Sequence, residues 1–144
     1  MECPVSHPAA ILLLAGALAL PATAQNAEIK KVPARYTSPA SGAEMYTAYC
    51  ASCHGPKGLG DGPVAQQLKT TVPDLTFLSK QNKGTFPKEH VSQIIRGEGT
   101  AKAHGVRDMP VWGPFFLTLD NSQAPVVRIR VSNLANYIET LQAK

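Results

Sequence analysis

The residues whose types and spacing could do chemistry are Cys50, Cys53 and His54, in the run Cys50-Ala51-Ser52-Cys53-His54. C-x-x-C-H is the sequence form of covalent c-type haem attachment. On a helix, residues three and four apart share a face. Both thiols can therefore form thioethers to the vinyl groups of one ring, and His54 can bring an imidazole nitrogen to its iron. A zinc site would call for further Cys or His at ligand spacing, and no second Cys pair exists. A thioredoxin-like dithiol would call for a βαβ pattern around it, and none is visible.

An iron held by one histidine needs a second axial ligand if it is to pass electrons without binding small molecules. The candidates are Met109, His90, His104 and Met45. Met109 precedes Pro110, which disfavours helical backbone and pushes Met109 towards extended conformation. A loop stiffened by Pro110 and Pro114 can hold a thioether over the iron, so Met109 is the expected ligand. His104, in the same loop, would give a bis-histidine haem of lower potential, since methionine ligation raises it. His90 reads as a surface residue of a helix, and Met45 as packing within the helix that carries the haem motif.

The elements that must position these residues read as helices and loops. Ser41 followed by Glu44 forms a capping box for a first helix running to about Cys53, with Gly42 and Tyr46 on one face. Gly55 to Gly62 is a glycine-rich loop that lacks the phosphate-binding pattern and suits a haem edge. Pro63 to Lys69 reads as a short helix, and Val72-Pro73-Asp74-Leu75-Thr76 as an extended segment beside the ring. Thr85 caps a further helix with Pro87 in its first turn and Val91, Ile94 and Ile95 on its apolar face; Gly97 and Gly99 stop it. Residues 100–116 are expected to be loop. A terminal helix opens near Asn121 or Ser122. Its residues Val127, Val131, Leu134, Ile138 and Leu141 recur at helical spacing, which outweighs a strand reading of 126–131. Among 144 residues there is one C-x-x-C-H and no internal repeat, hence one haem.

The N-terminus carries an address. Ala9 to Leu20 is an apolar run followed by Ala22-Thr23-Ala24, the h-region and cleavage site of a secretory signal, although the segment before it lacks Lys and Arg. The run is shorter than the roughly 20 residues that span a bilayer. The expected organisation is a cleaved signal over 1–24, an extended arm over 25–40 and one domain over 41–144. Cleavage removes Cys3, so both remaining thiols are consumed by haem. The chain has twelve Pro and eleven Gly and a formal charge of +4, which rises when Glu2 leaves with the signal. No nucleic-acid motif accompanies that charge.

Taken together these residues resemble a bacterial class I (mono-haem) cytochrome c. Gly42, Tyr46, Cys50, Cys53 and His54 match the N-terminal pattern, Met109-Pro110 with Trp112-Gly113 resembles the distal segment, and Leu134 and Tyr137 match the terminal helix. The resemblance covers about Ser41 to Gln142. It implies an all-α fold of three main helices and long loops around one covalent haem c. It also implies that the Pro63 carbonyl accepts the His54 N–H, and that Trp112 belongs to the haem-binding set. The expected function is that of an exported, periplasmic one-electron carrier with His54 and Met109 as axial ligands and no substrate chemistry. The alternative is the haem-bearing electron-transfer subunit of a fixed dehydrogenase or oxidase complex. Partners are expected to be redox proteins, with acidic ones a candidate class, docking through a small transient interface below about 1,200 Å², with membrane association only through a partner complex. Lys57, Lys69, Lys80, Lys83, Lys88, Lys102 and Arg107 are the basic residues available to steer them.

Overall fold

The computed structural model describes residues 34–98, 109–119 and 123–143, all within one compact unit, Pro33–Lys144. The expected signal at 1–24, the arm as far as residue 33, His104, Lys102 and Arg107 lie outside the described residues. The described chain is all helical: α1 (Gly42–Tyr49), α2 (Ala51–His54), α3 (Leu78–Gln81), α4 (Lys88–Arg96), α5 (Trp112–Thr118) and α6 (Ala124–Thr140), with single 3-10 turns at Ala65–Gln67 and Leu75–Phe77. None of these helices is long and apolar enough to cross a membrane.

α6 is the spine, touching α1, α4 and α5. Its buried stripe is Val127, Arg130, Val131, Leu134, Ala135 and Ile138, the i, i+3, i+4 recurrence of a helix with one face in the core. α1 crosses it where Gly42 allows close backbone approach. A Cβ on Gly42 would collide with the Asn133 carbonyl oxygen and lie 2.8 Å from Tyr137 Cβ. One turn on, the rings of Tyr46 and Tyr137 meet at 5.2 Å. Met45 is fully buried in the same core, the packing role expected for it.

Several local expectations need correcting. Ser41 Oγ does accept from the Glu44 N–H at 3.2 Å, but Glu44 reaches back to the Ser38 N–H at 3.2 Å and not to Ser41. The first helix is divided at Cys50, whose φ of −114° departs from helical values. Pro87 stands at the start of α4, two residues later than the Thr85 cap expected. The short helix expected over Pro63 to Lys69 is only a single 3-10 turn. The presumed extended segment at Val72–Thr76 turns at Asp74, whose carboxylate accepts from Thr76 N–H at 2.8 Å and its hydroxyl at 2.6 Å, leading into α3.

The stretch 112–116, expected as loop, is helical. Gly113 and Pro114 fall in the first turn of α5, where a missing N–H is tolerated, and a Cβ on Gly113 would sit 2.7 Å from the Arg96 carbonyl oxygen at the end of α4. Residues 34–40 are no free arm either. Thr37 is 1% exposed, the Tyr49 hydroxyl donates to the Arg35 carbonyl at 2.6 Å, and Asn133 Nδ2 donates to the Pro39 carbonyl at 2.9 Å. A segment with little apolar content is held by polar contacts that hydropathy does not register.

Candidate functional site: the Cys50–His54 turn

α1 and α2 deliver Cys50, Cys53 and His54 on one tight turn, with Cys53 N–H and His54 N–H both donating to the Cys50 carbonyl, at 3.1 and 2.9 Å. Both cysteines are unpaired thiols; Cys50 is buried and Cys53 half-buried. Burial, with Cys53 nearby as the lesser cause, pushes the Cys50 thiol up to about 12. Such a thiol stays protonated at neutral pH, unlike the activated thiolate of a redox cysteine. Among the described residues no three His, Cys, Asp or Glu cluster as a metal site would require.

The glycine-rich loop folds back to brace this turn. Gly60, Gly62 and Val64 donate their N–H groups to the carbonyls of His54 (2.8 Å), Cys53 (3.1 Å) and Ser52 (3.0 Å). These are carbonyls that the end of a helix leaves without intrahelical partners. A Cβ at Gly62 would lie 2.6 Å from the Cys53 carbonyl, so the brace needs glycine there. The Tyr46 hydroxyl donates to the Gly55 carbonyl at 2.8 Å. Burial, then the neighbouring Cys50, Tyr137 and Asp61, raise its pKa above the ordinary phenol value.

His54 is 9% exposed, and its Nδ1 lies 3.4 Å from the Pro73 carbonyl oxygen. A carbonyl can only accept, so the pairing selects the tautomer with the proton on Nδ1 and the lone pair on Nε2. Here the sequence reading is corrected: the acceptor is Pro73, not Pro63. Pro63 is exposed on the braced loop, whereas Leu75 N–H donates to the Gly58 carbonyl at 2.7 Å and draws Pro73 towards the turn. Pro73 lies on the Val72–Thr76 segment expected beside the ring, but its carbonyl reaches His54 through a pairing across the loop that no local sequence pattern marks.

Trp112 is brought to the motif through Tyr49, the residue before Cys50, with ring centroids 5.5 Å apart. Phe115 and Phe116 complete the cluster, each also in ring contact with both Tyr49 and Trp112. Met109 is 38% exposed on the lead-in to α5; the structure places it on a separate element from His54, three residues before Trp112. His90 is exposed in the first turn of α4.

The donor set and its surroundings fit a covalent macrocycle with apolar faces: two cysteine sulfurs on one turn, an imidazole oriented through Nδ1, and large apolar side chains turned to solvent at Leu59, Val64, Phe77, Met109 and Val111. Among known proteins, the family model described as cytochrome c oxidase, cbb3-type, subunit III matches residues 37–124, and the chain belongs to that family. It is accordingly a cytochrome c, an electron-transfer haem protein whose cofactor is covalently bound haem c. The matched stretch begins at Thr37, within the segment that packs as part of the domain. No curated protein and no solved structure matches the chain.

Proposed function

We propose that the chain is an exported one-electron carrier whose single haem is held by thioethers from Cys50 and Cys53 and ligated by His54 and Met109. The observation that carries this reading is the pairing of His54 Nδ1 with the Pro73 carbonyl at 3.4 Å. With the proton on Nδ1, Nε2 is the nitrogen that carries a lone pair for iron, and such partners both orient a ligating histidine and raise its basicity. When bound, the haem supplies the Fe(III)/Fe(II) couple. Cys50 and Cys53 anchor it, the braced loop from Gly55 to Gly62 fixes the turn, and the Met109 thioether stabilises the reduced state. With His54 and Met109 as the residues that would ligate the iron, little in the protein would need to rearrange when an electron arrives. Lys57, Lys69, Lys80, Lys83 and Lys88 are all exposed and available to steer an acidic redox partner.

A second reading, the electron-transfer subunit of a fixed complex, is favoured by the family match to an oxidase subunit. Both readings use the same site. Met109→Ala tests the site: the ferrous variant should bind carbon monoxide readily while the wild type does not, and equal binding by both would remove Met109 from the iron. Affinity purification at native abundance separates the readings, since a fixed subunit brings stoichiometric oxidase chains and a carrier comes alone.

A further inference from the structure

Arg130 occupies a core position on α6, in the stripe with Val127, Val131 and Leu134, and is 0% exposed. Its Nη1 donates to the Thr37 carbonyl at 2.8 Å and to Thr37 Oγ1 at 3.1 Å. The guanidinium lies over the rings of Tyr36 at 5.1 Å and Phe116 at 5.8 Å. Its Nε and Nη2, the edge that usually grips a carboxylate, are buried without an acceptor among the described residues. Ion pairs among those residues all belong to Arg96, which reaches Glu89 and Glu98.

A guanidinium does not escape burial by losing its proton, so Arg130 is a fixed positive charge in the interior, with no carboxylate beside it among the described residues. Such a charge is a poor source of stability, because an apolar side chain of similar volume usually does as well or better. What the charge uniquely supplies is a field, reaching further in a low-dielectric interior than in water and little screened by salt. Its neighbours place that charge close to the attachment turn. Thr37 Oγ1, which accepts from Arg130, also bonds the Tyr49 hydroxyl at 3.0 Å. Tyr49 immediately precedes Cys50. Phe116, beneath the guanidinium, is 5.7 Å from the Tyr49 ring and 6.1 Å from Trp112.

We propose that Arg130 is a buried cation that raises the reduction potential of the haem attached at Cys50 and Cys53. The proposal rests on that attachment. Reduction adds one electron, supplied by a redox partner, and lowers the charge of the haem site by one. A fixed cation nearby therefore favours the ferrous form.

The test is spectroelectrochemical titration of the holoprotein, with guanidinium unfolding in parallel, on wild type, Arg130→Met, Arg130→Gln and Thr37→Val. Both Arg130 variants should have a lower midpoint potential, with the drop unchanged between low and high salt, and Arg130→Met should unfold no earlier than wild type. Thr37→Val, which removes side-chain hydrogen bonds but keeps the charge, should lose stability and hold the wild-type potential. The proposal is overturned by an unchanged potential in both Arg130 variants, by an equal shift in Thr37→Val, or by a shift that salt abolishes. Failure of both Arg130 variants to load haem also overturns it, since the residue would then serve folding. Absence of covalent haem from the wild type would instead refute the attachment.

Discussion

Replacing Gly42 tests the α1–α6 crossing on which the site is built. On an exposed helix, Gly→Ala stabilises by about 1 kcal/mol, so the naive expectation is a gain. Here the new Cβ would press on the Asn133 backbone carbonyl and stand 2.8 Å from Tyr137 Cβ, and a backbone group cannot rotate away. Overpacking of this kind costs about 1–3 kcal/mol, which reverses the sign for Val and cancels or reverses it for Ala. With a cost of about 2 kcal/mol and a guanidinium m-value of about 4 kcal/mol/M, Gly42→Val should lower the unfolding midpoint by about 0.5 M. The assay is equilibrium unfolding of the holoprotein, followed by far-ultraviolet circular dichroism. The crossing is refuted if Gly42→Ala gains the full helix-propensity increment and Gly42→Val leaves the midpoint where it was.

Cys50→Ser with Cys53→Ser should give a protein that releases its haem on acid-acetone extraction, and retention through that extraction would exclude thioethers at these positions. The raised Tyr46 pKa makes stability depend on pH in the alkaline range. The folded state holds the phenol proton more tightly than the unfolded state, so the contribution is complete below the ordinary phenol value of 10.0 and declines as pH rises above it. Each further unit costs up to about 1.4 kcal/mol until the folded-state pKa is reached. Tyr46→Phe should be less stable at neutral pH, having lost the hydrogen bond to the Gly55 carbonyl, yet show a shallower decline above pH 10 than wild type. Parallel profiles in guanidinium would show that Tyr46 is not the titrating group.

The sequence was most legible where chemistry and periodicity coincide. The attachment turn reads from five consecutive residues because thiol spacing and helical geometry constrain each other, and the α6 stripe reads from its apolar recurrence. Gly42 and Tyr137 could be paired in advance because a glycine on a helix face has few uses other than close approach. What remained hidden depends on contacts far apart in the chain. The Pro73 carbonyl reaches His54 only because Gly58 and Leu75 pair across the intervening loop, and no local pattern distinguishes Pro73 from Pro63. α5 was concealed by Gly113 and Pro114, residues that break helices in the interior but are accommodated in a first turn. Residues 34–40 looked like spacer because Thr37 and Arg35 are held by hydrogen bonds to Tyr49 and Arg130. Arg130 itself occupies a position in the helical stripe that hydropathy assigns to the surface.

The central claim, one covalent haem ligated by His54 and Met109, is tested most directly by the visible absorption spectrum of the purified ferric protein beside that of Met109→Ala. The account predicts a low-spin c-type spectrum with a weak sulfur-to-iron charge-transfer band in the red, present in the wild type and lost in the variant. A wild-type spectrum without that band, or a variant that keeps it, would contradict the assignment of Met109 to the iron.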